Sequence, residues 1–441
     1  MAGKDQDGAY PVPGGRMGRM LRMGSMTGGI LGGMVASGLR QMAQGERPSL
    51  PGMFLTPATA ARLTRDLGQM RGAAMKLGQM LSMDEGLVLP PEMTATLAAL
   101  RADAPHMPPK QLQAALNAEW GAGWYGRFKR FDLRPFAAAS IGQVHRAVMD
   151  NRDMAIKVQY PGIRASIDSD IDNLAAMLRL PGLMPRGMDL APILQEAKAQ
   201  LHLEADYQAE ARHLTAFRNL LAGSDRFRLP QLYPDLSTPR VLAMSYIESQ
   251  PIEAVAEAPQ ALRDQVARDL IDLVLCELFR FGLMQTDPNL ANYRFDPATG
   301  HVVLLDFGAV MAIRPDLVQD FRSLLNAALD GTAAQTRAAM RQIGYFSDST
   351  APHLQDLIQR MFDTAMAPLR QATPFDFGNA GLIETLRDMG LAMGQERELT
   401  QVPPPATLFL HRKIGGIYLL AAKLKARVAL RPLVEAYRSC S

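Results

Sequence analysis

The sequence predicts an α+β chain of two lobes, with an added N-terminal helical extension and a mostly helical C-lobe. Three observations lead there. Extended, apolar segments gather between Phe131 and Tyr160 and return at Arg240–Ile247, and nearly everything after that reads as helix. A helix-start signal, Thr56-Pro57, opens a long apolar face ahead of the first strand. Chemistry-bearing residues then follow one another in a fixed order along the second half of the pattern.

The 441 residues suffice for two lobes with a sizeable core, and 48% apolar with 21% charged residues is ordinary for a globular chain. The net charge of +3 is spread without a basic block, which argues against a nucleic-acid partner. Cys276 and Cys440 lack paired spacing, so neither a disulfide framework nor a cysteine-rich metal site is expected, and a reducing compartment fits.

Four segments follow. Residues 1–55 read as a flexible Gly/Met-rich leader; its uncharged run Met23–Leu39 has 17 residues, six of them Gly, and is short for a membrane span. Peripheral membrane contact through Gly28/Gly32 and Gly29/Gly33 spacing remains an alternative for it. Residues 56–110 form the helical extension, where Leu63, Leu67, Met70, Ala74, Leu77 and Leu81 recur on one face until Pro90-Pro91. Residues 111–247 form the N-lobe: a helix near Gln111–Trp120, a hairpin turning at Asp150-Asn151, helices from Asp189 to Leu221, and the strand RVLAMSYI. Residues 248–441 form the C-lobe, helical except for the hairpin NYRF–DPATG–HVVLL.

Phosphoryl transfer needs a cation on the phosphates, oxygen ligands for a metal, and a residue that orients the nucleophile. Lys157 stands in the apolar strand MAIKVQ. Glu210 falls within the helical stripe Leu203, Tyr207, Leu214, Phe217, Leu221, and a carboxylate on such a stripe calls for a cation. Lys157 is the expected partner. In MQTDPNLANYRF, Asp287 and Asn292 are five apart, and Asp306-Phe307-Gly308 ends the strand HVVLL. These match the catalytic-loop aspartate, the metal-binding asparagine and the metal-binding aspartate of protein kinases, so the expected fold is a two-lobed protein-kinase-like one binding ATP and Mg2+. The second Asp-Phe-Gly, Asp376–Gly378, has no catalytic loop upstream and is expected to be coincidental.

Three departures from ordinary protein kinases stand out. Ala137-Ala138-Ala139-Ser140 replaces the Gly-rich phosphate loop, and alanine resists positive φ. Gln285-Thr286 replaces the His-Arg before the catalytic aspartate. Helix resumes by Pro315, leaving little room for an activation segment.

With these departures the chain resembles the UbiB family of kinase-like proteins, from about Thr56 onward, on the branch of the coenzyme Q kinase-like ATPases. The resemblance rests on Lys76-x-Gly78-Gln79, Glu204-x-Asp206, the loop AAASIGQVHRA, TDPNLAN, LLDFGAV and FLHRKIGGIYLL. It implies that Lys76, Gln79, Glu204 and Asp206 form a gate over the site, the acidic pair facing the Lys76 segment. It implies that Ala137–Ser140 cover the phosphates while Lys157, Met244 and Tyr246 hold the nucleotide. Asn292 and Asp306 then hold Mg2+, and Asp287 orients or deprotonates the nucleophile. Ser245 in the hinge and Leu290-Ala291 in the catalytic loop depart from the family pattern. The implied function is an ATPase-like atypical kinase supporting ubiquinone biosynthesis. The implied setting is cytoplasmic, peripheral at the inner membrane, with quinone-precursor lipids or quinone-biosynthetic enzymes as partners. A nucleotide-binding pseudokinase scaffold and a small-molecule phosphotransferase are the alternatives.

Overall fold

The computed structural model describes Gly72, Ala73 and Lys76, and then residues 106–178, 191–287, 289–379, 381–394 and 404–439. The leader, most of the extension and Gln79 lie outside the described residues. The chain divides into two compact units, one running to Arg212 and taking in Gln231–Tyr246, the other comprising His213–Pro230 and Ile247 onward.

In the first unit, helix α1 (Pro109–Trp120) starts on a proline at its first position, where the missing N–H costs nothing. An antiparallel sheet follows, built from β1 (Arg130–Phe131), β2 (Ala137–Ala138), β3 (Gly142–Met149) and β4 (Arg152–Gln159). It is completed by β6 (Val241–Ser245), and the intervening β5 (Phe227–Arg228) belongs to the second unit. The strand order is β1-β3-β4-β6, with β2 on β3. Asp150 and Asn151 close the β3–β4 hairpin at φ 49° and 62°. A tight turn whose twist matches the strands requires that left-handed pair, and Asp and Asn tolerate it.

Three helices come next: α2 (Ile163–Leu178), α3 (Ala191–Glu204) and α4 (Tyr207–Leu220). The sequence predicts helices from Asp189 to Leu221, with one buried stripe running from Leu203 to Leu221. The chain instead breaks at Ala205-Asp206, where Asp206 Oδ1 accepts from the Ala209 N–H at 2.9 Å and starts a new helix. Leu203, expected on the buried stripe, ends up 42% exposed because it precedes that break. Helix α2 was not among the expected elements, although Ile163, Ile167, Ile171 and Leu174 repeat at helical spacing and are buried.

A buried polar chain fastens the segment ahead of α1 to the sheet. The Met107 N–H donates to Gln143 Oε1 at 2.8 Å, Gln143 Nε2 donates to His145 Nε2 at 2.9 Å, and His145 Nδ1–H donates to the Asp132 carbonyl at 2.7 Å. Each acceptor fixes the next donor, so the imidazole is held neutral. Burial drives its pKa down to about 4.

The second unit has a four-stranded sheet ordered β5-β10-β9-β7, from β7 (Gln250–Pro251), β9 (Tyr293–Asp296) and β10 (His301–Leu304). Strands β8 (Leu283–Gln285) and β11 (Val310–Ala312) pair separately, as do β12 (Phe375–Asp376) and β13 (Arg427–Val428). Helix α5 (Gln260–Cys276) widens into a π-helical turn, Glu277–Phe281, that stops on Gly282 at φ 60°. Helices α6 (Pro315–Asp330), α7 (Ala333–Ile343), α8 (Pro352–Met366), α9 (Leu382–Gly394), α10 (Pro405–Lys423) and α11 (Leu430–Glu435) complete it. Residues 213–230, placed in the 111–247 lobe by the sequence reading, cluster here because β5 pairs in parallel with β10. Among the described residues no helix is long and apolar enough to cross a membrane.

The neutral His145 sets a pH dependence. The unfolded chain takes up a proton below its ordinary value of 6.5, while the folded chain resists until about 4. Stability therefore falls as pH drops through that window, by about 2 kcal/mol on reaching pH 5. Urea unfolding at pH 8 and pH 5 should show this loss in the wild type and a smaller one in His145→Asn.

Candidate functional site

Lys157 lies in β4, flanked in register by Val144 of β3 and Leu242 of β6. Its Nζ sits 2.9 Å from both carboxylate oxygens of Glu210, in the first turn of α4. Their side chains are 8% and 2% exposed. The Tyr207 ring lies 5.2 Å from the ammonium. Neither charge would leave water alone; together, with two hydrogen bonds, they can. Gly142 makes room for this arrangement, since a Cβ there would sit 2.4 Å from the Val158 carbonyl and 2.8 Å from the Tyr207 hydroxyl.

Immediately before α4, Glu204 receives Lys76 Nζ at 2.7 Å, with the Lys76 side chain 1% exposed. Gly72, four positions earlier, faces the alanine loop: an added Cβ would meet the Ser140 carbonyl at 3.0 Å. The loop is a tight hairpin. Ala137 and Ala138 pair with Val144 and Gln143, and the Ala139 N–H donates to the Gly142 carbonyl at 2.9 Å. Asp206, expected to face the Lys76 segment along with Glu204, caps α4 through its Oδ1. Gln79 is outside the described residues.

Met244 is buried and pairs with Ala155. The Tyr246 ring is engaged on its face by the Arg146 guanidinium, 4.0 Å away, and at its edge by Phe136. Its N–H donates to the Asp153 carbonyl at 2.9 Å.

In the second unit, Asn292 Nδ2 donates to Asp287 at both Oδ2 (3.2 Å) and the backbone carbonyl (3.3 Å). Two acceptors fix the amide's orientation, so Asn292 Oδ1 is the atom it can offer a cation. Two backbone bonds join this loop to the Asp-Phe-Gly segment: Leu305 N–H to the Asn292 carbonyl at 3.1 Å and Thr286 N–H to the Ala309 carbonyl at 2.8 Å. Asp306 lies between these ties, its Oδ1 accepting from the Gly308 N–H at 2.9 Å. Phe307 is buried against Phe217, ring centroids 4.9 Å apart, and His213 Nδ1 donates to its carbonyl at 3.1 Å. The role of His213 was not read from the sequence, where a lone helical histidine gives no signal.

An amide oxygen and a carboxylate are hard donors of the kind Mg2+ takes, with water and phosphate oxygens completing its shell. Among the described residues no cluster of three or more His, Cys, Asp or Glu side chains could hold a metal unaided. The second Asp-Phe-Gly differs. Asp376 sits in β12, accepts from Gly378 and Asn379 within its own exposed turn, and pairs with Arg427 of the neighbouring β13 at 3.1 Å.

The model of the ABC1 atypical kinase-like domain matches residues 99–340. The chain is 38% identical over 428 residues to "Atypical kinase coq-8, mitochondrial" of Caenorhabditis elegans, covering 95% of this chain and 56% of that protein. It is 34% identical to "Atypical kinase COQ8, mitochondrial" of Saccharomyces cerevisiae, covering 96% of this chain and 85% of the yeast protein. This chain therefore spans little more than half the length of the nematode relative. A solved Mycobacterium tuberculosis protein, in complex with erythromycin, is 26% identical with a TM-score of 0.57, covering 86% of this chain and 95% of that one.

Removing one partner of a buried ion pair strands the other. Glu210→Leu should lower unfolding free energy by about 3–5 kcal/mol, while Lys157→Met/Glu210→Leu should recover most of that loss. Urea titration of the two variants beside the wild type checks it; equal losses in the single and double variants would contradict the pairing.

Proposed function

Since this chain belongs to the ABC1 atypical kinase-like family, the UbiB family, we propose that it binds Mg-ATP and works as an atypical kinase or ATPase supporting coenzyme Q (ubiquinone) biosynthesis. The observation that carries the reading is the buried Lys157–Glu210 pair. A buried ion pair contributes little net stability compared with apolar residues of the same size, so its presence in the sheet calls for a use beyond folding.

In this reading Lys157 donates to the phosphates while Glu210 keeps its ammonium charged and aimed. Asn292 Oδ1 and the Asp306 carboxylate would hold Mg2+, which supplies charge neutralisation on the phosphate oxygens when bound. Asp287, steadied by the Asn292 amide, orients the nucleophile or takes its proton; that nucleophile is water or the hydroxyl of an acceptor. Ala137–Ser140 cover the phosphates with a stiffer hairpin than glycine would make. The Lys76–Glu204 bond, with Gly72 against Ser140, holds these two residues of the extension beside that hairpin and would disfavour protein substrates. The acceptors we favour are quinone-precursor lipids, reached by peripheral contact with a membrane. Both named relatives are mitochondrial kinases, which supports the coenzyme Q setting.

Two variants test the site. Asp287→Asn should keep nucleotide affinity and lose about 100-fold or more in turnover. Asp306→Asn should lose the Mg2+-dependent part of nucleotide binding, read with a fluorescent nucleotide; unchanged affinity would refute the assignment. Turnover stimulated by liposomes or a phenolic quinone mimic would support the lipid acceptor. Transfer to a soluble aminoglycoside-like alcohol would favour a small-molecule phosphotransferase, and no turnover at all a pseudokinase scaffold.

A further inference from the structure

The catalytic loop of this chain lacks the basic residue that protein kinases place beside the catalytic aspartate, having Gln285-Thr286 there. We infer that Lys413, from helix α10, takes over the anchoring of that loop and is a positioning residue for Asp287. This rests on the role assigned to Asp287 above.

Lys413 is 1% exposed. Its Nζ donates to the Gln285 backbone carbonyl at 2.9 Å and to Gln285 Oε1 at 3.0 Å, across 128 positions of sequence. With the Gln285 amide oxygen so engaged, its Nε2 is turned the other way and donates to the Asp287 carbonyl at 2.8 Å. The path from Lys413 to the backbone of Asp287 is thus two hydrogen bonds long. The same carbonyl also receives Asn292 Nδ2 at 3.3 Å, so the lysine's pull on Gln285 bears on both residues of the proposed phosphoryl-transfer loop.

Glu277 makes this possible. It is 1% exposed, and its carboxylate oxygens lie 3.0 and 3.3 Å from Lys413 Nζ. It opens the π-helical turn Glu277–Phe281, a widening of the helix of a kind frequent at functional sites. Burial opposes the Lys413 charge, but Glu277 beside it outweighs that and the lysine's pKa rises, while burial pushes the Glu277 carboxyl up to about 7; the Tyr293 ring centroid lies 5.7 Å from Nζ. A cation so buried, aimed at one residue's carbonyl and side-chain amide together, is costly to build for packing alone.

The test uses the full chain with Lys413→Met, Lys413→Arg and the neutral pair Lys413→Met/Glu277→Gln, the last avoiding a stranded buried charge. Two readouts are taken: amide hydrogen exchange across residues 285–292, and ATP turnover in the wild-type and Asp287→Asn backgrounds. The neutral pair should keep its circular dichroism and its KM within about threefold, exchange about tenfold faster in the loop only, and lose roughly 10- to 100-fold in kcat. Lys413→Arg should restore part of kcat, and Lys413→Met should add nothing to Asp287→Asn. Unchanged loop exchange, or faster exchange spread evenly through α5 and α10, would overturn the inference. So would a Lys413→Met loss that multiplies with that of Asp287→Asn. A wild type without turnover would remove the functional reading of Asp287, and exchange alone would then decide whether Lys413 anchors the loop.

Discussion

Two opposite charges are held out of water where β4 meets α4, and much of the first unit can be understood as the means of keeping them there. Lys157 can be dry only if Glu210 reaches it, and Glu210 reaches it only if α4 begins at Tyr207. The break at Ala205-Asp206 and the Asp206 cap set that starting point. Gly142 lets Tyr207 approach the strand that carries the lysine. Directly before the break, Glu204 meets Lys76, so a second buried cation depends on the same bend in the chain.

The second unit solves a different problem with backbone. Its carboxylates sit on loops, and loops drift unless tied. The Leu305–Asn292 and Thr286–Ala309 bonds tie the catalytic loop to the Asp-Phe-Gly segment at both ends, while Phe307 is buried against Phe217. In phosphoryl transfer the protein contributes mainly position and charge, so fixing the backbone around Asp287, Asn292 and Asp306 is a large part of what it can do. The decoy Asp376 makes the same local turn, Gly378 N–H to Oδ1, yet spends its charge on Arg427. A three-residue motif therefore says little until its surroundings are known.

Periodicity and turn chemistry alone carried the reading of much of the fold. The Asp150-Asn151 hairpin, the strand at Val241–Ser245, the Tyr293–Leu304 hairpin and the resumption of helix at Pro315 are all local, two-residue or single-face signals. The stripe Tyr207, Glu210, Leu214, Phe217 marked Glu210 as buried before any partner was known, since a carboxylate at a core position demands a cation. Family resemblance, with Lys76-x-Gly78-Gln79 and the alanine loop as its marks, supplied the rest of the site.

Tertiary structure decided what spacing could not. That Leu203 faces solvent, that Asp206 caps a helix, and that the Tyr246 ring is taken by Arg146 and Phe136 depend on where the chain bends and on what arrives from elsewhere. Lys413 is the clearest case: a lysine on an apolar helix gives no sign of meeting Gln285, 128 positions away, until the fold brings them together. Sequence determines which faces must be buried, because hydrophobic period and turn preference are properties of neighbouring residues. Which buried charge meets which is set by contacts between distant segments, and only the packed chain specifies those.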